Sequence, residues 1–127
     1  MRKAHGQHNL ELAKILLDDG DYNDWVITTA FYSSVHFVEH ALFPLIENGI
    51  EYSDFNDYWQ NTSKHSKHTC KKNLVRNHLR SVAAIYRELL DDCHTSRYNN
   101  YVVSSYNAEQ AKKKADRIKS ACLTKKP

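Results

Sequence analysis

Apolar residues recur along this chain at helical spacing, most densely between Asp21 and Leu45. Trp25, Thr29, Tyr32, His36 and His40 fall on one stripe of a helix, and Ile27, Phe31, Val35, Val38 and Leu42 fall on the next. Two adjacent stripes make a broad apolar face, as expected of a central helix touched by several neighbours. The pattern predicts a helix over residues 22–48. Asp21 would be its N-cap, Asp24 would sit in its first turn, Pro44 would loosen its end and Gly49 would stop it.

The same period appears on either side. Leu10, Ala13 and Leu17, with Leu12, Ile15 and Leu16, predict a first helix over residues 4–18, and Gly20 suits a left-handed C′ position. Residues 49–63 break the period. Phe55, Tyr58 and Trp59 there predict one helical turn, capped by Ser53 or Asp54, that covers an edge of the core. A third long helix is expected over residues 64–92, capped by Ser63 or Thr62. Cys70, Leu74, His78, Ser81, Ile85 and Leu89 form one seam, and Val75, Leu79, Val82, Tyr86 and Leu90 form the other. Residues 93–105 read as a linker that turns at Asn99-Asn100. The last helix, over residues 108–122, buries Ala108, Ala111, Ala115, Ile118 and Cys122, with Asn107 and Gln110 as a capping box. Residues 123–127 should fray. The expected fold is all-α, an up-and-down bundle of four to five helices in one domain.

Composition agrees with helices. Three glycines and two prolines in 127 residues are few for an all-β chain. No apolar run reaches the roughly 18 residues of a membrane span, and the N-terminal stretch lacks the apolar core of a signal peptide. Cys70, Cys93 and Cys122 are odd in number and without CxxC spacing, which predicts reduced thiols and a cytoplasmic protein.

Charge divides the chain. Residues 1–63 carry three Lys/Arg against ten Asp/Glu, and residues 64–127 carry fifteen against five. Lys64, Lys67, Lys71, Lys72, Arg76 and Arg80 follow one another with no acid among them, and His65 and His68 are interspersed. Like charges at helical spacing cost stability unless something offsets them. Phosphate is one candidate partner and the acids of the first half are another; a solvated basic face is the third reading.

The glycines cannot build a phosphate-binding loop, so nucleotide chemistry of that kind is excluded. His36 and His40, four apart beside Glu39, have the spacing of a metal pair. No HExxH motif supports this, and hydrogen-bonded core histidines are the favoured reading, so neither metal nor cofactor is expected. Arg87 and His94, followed by Arg97-Tyr98, carry the residue types of metal-free RNA cleavage. The imidazole would move a proton and the guanidinium would stabilise charge on phosphorus. The competing reading pairs Arg87 with Asp91 one turn on and leaves His94 at a helix end.

These residues also carry a family resemblance. The run DYNDWVITTAFYSSVHFVEHAL resembles the second helix of HEPN domains (higher eukaryote and prokaryote nucleotide-binding), through Ala30-Phe31-Tyr32, a following histidine and an apolar tail. SKHTCKKNLVRNHL, IYRELLDD and TSRY resemble later segments of small bacterial members. The resemblance implies a helical bundle, commonly a homodimer, that binds RNA or nucleotide or serves as an interaction module. In many members an Arg-x4–6-His motif of each subunit cuts RNA at the dimer interface. Here Arg87 and His94 fit that spacing, whereas Arg97 has Val102, Val103 and Ser104 where a histidine would stand. The leading expectation is therefore a binding module in a defence or toxin–antitoxin setting. It would take RNA through Lys64, Lys67, His68, Lys71, Lys72, Arg76 and Arg80. The second is a metal-independent ribonuclease toxin using Arg87 and His94 across a dimer interface, aided by Arg97 and Tyr98, with Tyr32 and His36 in support. The third is a non-catalytic subunit whose basic face docks an antitoxin or another acidic protein.

Overall fold

The computed structural model describes all of residues 1–127. Its helices are α1 (Arg2–Asp19), α2 (Asn23–Leu42), α3 (Phe55–Thr62), α4 (Lys67–His78), α5 (Ala83–Tyr98) and α6 (Ser105–Lys125). A small antiparallel hairpin, β1 (Leu45–Glu47) and β2 (Ile50–Tyr52), stands between α2 and α3. The fold is thus all-α, a helical bundle, as the periodicity predicts. No helix is long and apolar enough to cross a membrane.

The bundle is built around α2. Thirteen of its twenty residues are buried, and α1, α5 and α6 all pack on it. Small residues set how closely they do so. The Ser33 hydroxyl donates to the Gly6 carbonyl at 2.7 Å, and a Cβ at Gly6 would meet the fully buried Phe37 ring at 3.0 Å. On the other side α6 presents Ala108, Ala111, Ala115, Ile118 and Cys122, all buried. Side chains this short let two backbones approach without a void.

Several boundaries differ from the expectation. α2 ends at Leu42, because Phe43 must be extended ahead of Pro44. Residues 45–52 then form the hairpin. Asn48 and Gly49, at φ 54° and 77°, make its two-residue turn, so Gly49 closes a hairpin and does not stop a helix. Tyr22, not Asp21, occupies the N-cap position of α2, with no side-chain hydrogen bond. Asp54 does cap α3, accepting from the Asp57 amide at 2.8 Å. The expected helix over 64–92 is two. α4 stops at His78, Leu79 leaves helical geometry at φ −131° and ψ 54°, and a 3₁₀ turn over Arg80–Val82 leads into α5. Leu79 and Val82 stay buried through the break. α5 then runs past the expected end to Tyr98, because Cys93 and Ser96 continue its buried stripe after Tyr86 and Leu89. Ser104, not Asn107, caps α6 and accepts from the Asn107 amide at 3.0 Å. α6 continues to Lys125, and the tail is tied to the end of α2. The Lys126 ammonium donates to the Phe43 carbonyl at 2.7 Å, and the His40 ring lies 2.9 Å from the Lys126 carbonyl.

Candidate functional site: a cleft between α2, α4 and α5

The extension of α5 brings three polar residues onto one face. His94, Arg97 and Tyr98 stand at i, i+3 and i+4, so their side chains leave the helix together. α2 faces them with Phe31 and Tyr32, α4 contributes His68, and Leu90 and Cys93 complete the lining of a cleft of about 270 Å³. Within it the Arg97 guanidinium donates to the Tyr32 hydroxyl at 3.1 Å and lies 5.5 Å from the centre of the Tyr98 ring. The His94 and Tyr98 rings are 5.0 Å apart, and the His68 ring is 5.6 Å from Phe31. No carboxylate lines the cleft, and Arg97 belongs to no ion pair. The Tyr32 hydroxyl steers the guanidinium without neutralising it.

The electrostatics follow from that lining. Loss of hydration lowers the His68 pKa, and the Lys71 and Arg97 charges lower it further, so the ring is neutral at neutral pH. Burial raises the Cys93 pKa, which keeps it a thiol and a poor nucleophile.

The other expected residues are elsewhere. Arg87 is exposed, lies about 10 Å of helical rise before His94, and makes no ion pair with Asp91 or any other acid. It does not line the cleft, which holds His94 with Arg97. The six cations expected on one face are divided. Lys71 is buried, 6% exposed, with its ammonium 3.5 Å from the Glu39 carboxylate and 4.1 Å from the centre of the Phe55 ring. Burial lowers its pKa against the pull of Glu39. It holds the bundle and offers nothing to a solvent-borne ligand. Lys67 lies over the Trp59 ring at 5.0 Å, Lys72 is half-buried, and Lys64, Arg76 and Arg80 are exposed. Arg80 is on the 3₁₀ turn and does not continue the stripe of α4.

His36 is outside the cleft. Its ring stacks on His5 with centroids 3.8 Å apart, and its Nδ1 lies 3.2 Å from an Arg2 nitrogen. Burial, then His5, Arg2 and Lys71, push its pKa down to about 4. Arg2 also stands 3.6 Å from Glu39, so this carboxylate sits between two cations, Arg2 and Lys71. His40 lies against the Lys126 carbonyl, and no three His, Cys, Asp or Glu side chains converge. Phe55, Tyr58 and Trp59 lie against the core as expected. Across the chain's two halves, only Lys71–Glu39 and His78–Glu47 form ion pairs, so the charge asymmetry is not cancelled by pairing.

The sequence reading missed the role of Glu39, although an acid among the apolar stripes of α2 signals a buried partner. It also missed the two amides of Asn73 and Asn77, one turn apart on α4.

These features define the protein as an all-α bundle carrying a cationic, aromatic-lined cleft on its central helix. Comparison of the chain with protein-family models, with curated proteins and with solved structures finds no match.

Proposed function

We propose that the α2–α4–α5 cleft binds RNA or a nucleotide, with phosphate on Arg97 and His94 and a base against the exposed Tyr98 ring. The observation that carries this reading is a guanidinium without a carboxylate partner, placed between aromatic rings. A charge left unpaired beside a stacking surface matches the chemistry of a phosphodiester next to its base. Lys67, Lys72, Arg76 and Lys64 add favourable charge along α4 and its approach. Kinship with HEPN domains, homodimer formation and a defence or toxin–antitoxin setting belong to the same proposal and rest on the residue resemblance given above.

A second reading, metal-independent RNA cleavage, is favoured by one further feature: two imidazoles, His68 and His94, share the cleft with Arg97. Neutral His68 would take the 2′-hydroxyl proton, and His94 would pass a proton to the leaving 5′-oxygen. The products would be a 2′,3′-cyclic phosphate and a 5′-hydroxyl end. Both readings are tested with a fluorescent single-stranded RNA, by anisotropy at low salt and by gel in EDTA. Salt-sensitive binding that weakens in Arg97→Ala supports the first. Absence of binding at low salt refutes both. Cleavage lost in His94→Ala supports the second, and equal inertness of wild type and His94→Ala refutes it.

A further inference from the structure

The opposite flank of α4 carries a second opening that the cleft does not use. It is a trough of about 310 Å³ between α3 and α4. Its floor is apolar, from Leu74, Cys70 and the Tyr58 ring, and no carboxylate lines it. Asn73 and Asn77 form one wall and Lys64 with His65 the mouth.

The mouth is held in place. The Trp59 indole donates to the His65 carbonyl at 2.8 Å, the His65 amide donates to the Ser63 hydroxyl at 3.1 Å, and Ser66 caps α4. By contrast, the side-chain amides of Asn73 and Asn77 make no hydrogen bond within the protein, and Lys64 has no ion-pair partner. Each amide keeps a donor and an acceptor free.

The spacing of those amides matches one edge of an extended peptide. Residues four apart on a helix place their Cβ atoms about 5–6 Å apart. Along one edge of an extended peptide, N–H and C=O groups recur every second residue, at about 6.7 Å. The short reach of an Asn side chain spans the difference, so each amide can meet one peptide unit. The Tyr58 side of the trough offers a nucleotide little to stack on, and the exposed His65 ring at the mouth is its one free aromatic surface. The Tyr58 ring meets Phe43 and Tyr52 edge-on and its hydroxyl donates to Glu47 at 3.1 Å, while Trp59 is covered by Lys67. We infer that the α3–α4 trough binds an extended peptide segment of a partner protein, with its backbone on Asn73 and Asn77, an apolar side chain on Leu74, and a carboxylate at Lys64 and His65.

The carboxylate can be a chain terminus or an acidic side chain, and the experiment separates them. The isotope-labelled full chain is titrated with acetyl-Gly-Ser-Val-Thr-Val-Glu as the free acid, with its C-terminal amide, and with the amide in which Gln replaces Glu. The side-chain NH₂ signals of Asn73 and Asn77 should shift with the free acid, and Asn73→Ala and Asn77→Ala should each weaken binding about fivefold or more. Lys64→Ala should weaken the free acid and leave the Gln amide unchanged. Binding kept by the Glu amide assigns the site to an acidic side chain; binding kept only by the free acid assigns it to a chain terminus. No shift at millimolar peptide, or unchanged affinity in both Asn variants, overturns the peptide assignment. A Gln amide that binds as tightly as the acid overturns the carboxylate. Uridine monophosphate that shifts the same two amides when the peptides do not also overturns it, in favour of a nucleotide. Neither Asn amide holds another group, so the variants should fold, and their backbone spectra check this. Arg97→Ala should leave peptide binding intact, which separates this site from the RNA-binding proposal.

Discussion

Lys71 and Arg97 are two cations near the central helix with opposite fates. Lys71 is buried, faces Glu39 and covers the Phe55 ring. Arg97 is exposed, touches only neutral groups, and looks into a cleft without acids. A buried charge must be matched, and once matched it is silent toward ligands. An exposed charge steered by a hydroxyl stays available. The pair shows why counting basic residues along α4 misleads: the charge most firmly placed is the one least able to bind.

The largest effect that can break this comparison is on Glu39. Glu39→Leu strands a buried ammonium and should cost about 3–5 kcal/mol in urea denaturation. Adding Lys71→Met should restore most of it. A loss below about 1 kcal/mol for Glu39→Leu would show that Lys71 reaches water and that the two cations are alike.

Next comes Arg97→Ala. It should leave stability within about 0.5 kcal/mol of wild type, as for surface changes, and lower RNA affinity about tenfold. A large loss of stability would make Arg97 a structural residue like Lys71.

A smaller effect comes through His36. Its folded pKa, about 4, lies below the ordinary 6.5, so the unfolded chain binds the proton more tightly. The stability tied to neutral His36 is complete above about pH 6.5 and is lost as pH falls toward about 4. His36→Gln should flatten the stability–pH curve in that window relative to wild type. Superimposable curves would mean that neither burial nor His5, Arg2 and Lys71 press on this ring.

Arg87→Ala should do least, changing neither stability beyond about 0.5 kcal/mol nor RNA affinity beyond twofold. A loss as large as that of Arg97→Ala would return Arg87 to the site.

Much of this architecture is legible in the chain. The double stripe of α2 and the alanine stripe of α6 announce themselves, because each buried face repeats over several turns. The break at Leu79 does not. A 3₁₀ turn of three residues keeps Leu79, Val82 and Tyr86 in phase, so periodicity reads straight through it. The hairpin escapes because strands of three residues are too short to display alternation, although Asn48-Gly49 is a strong turn pair. The lining of the candidate cleft was legible by residue type but not by grouping. His94, Arg97 and Tyr98 share a face only once α5 is known to extend through them. Lys71 read as one of six surface cations, although it stands four residues before Val75, on the buried side of α4.

α4 has one more consequence. It is the common wall of the cleft, through His68, and of the trough, through Asn73 and Asn77. The buried Lys71–Glu39 pair ties α4 to α2, so an occupant of either opening meets a wall already anchored to the central helix.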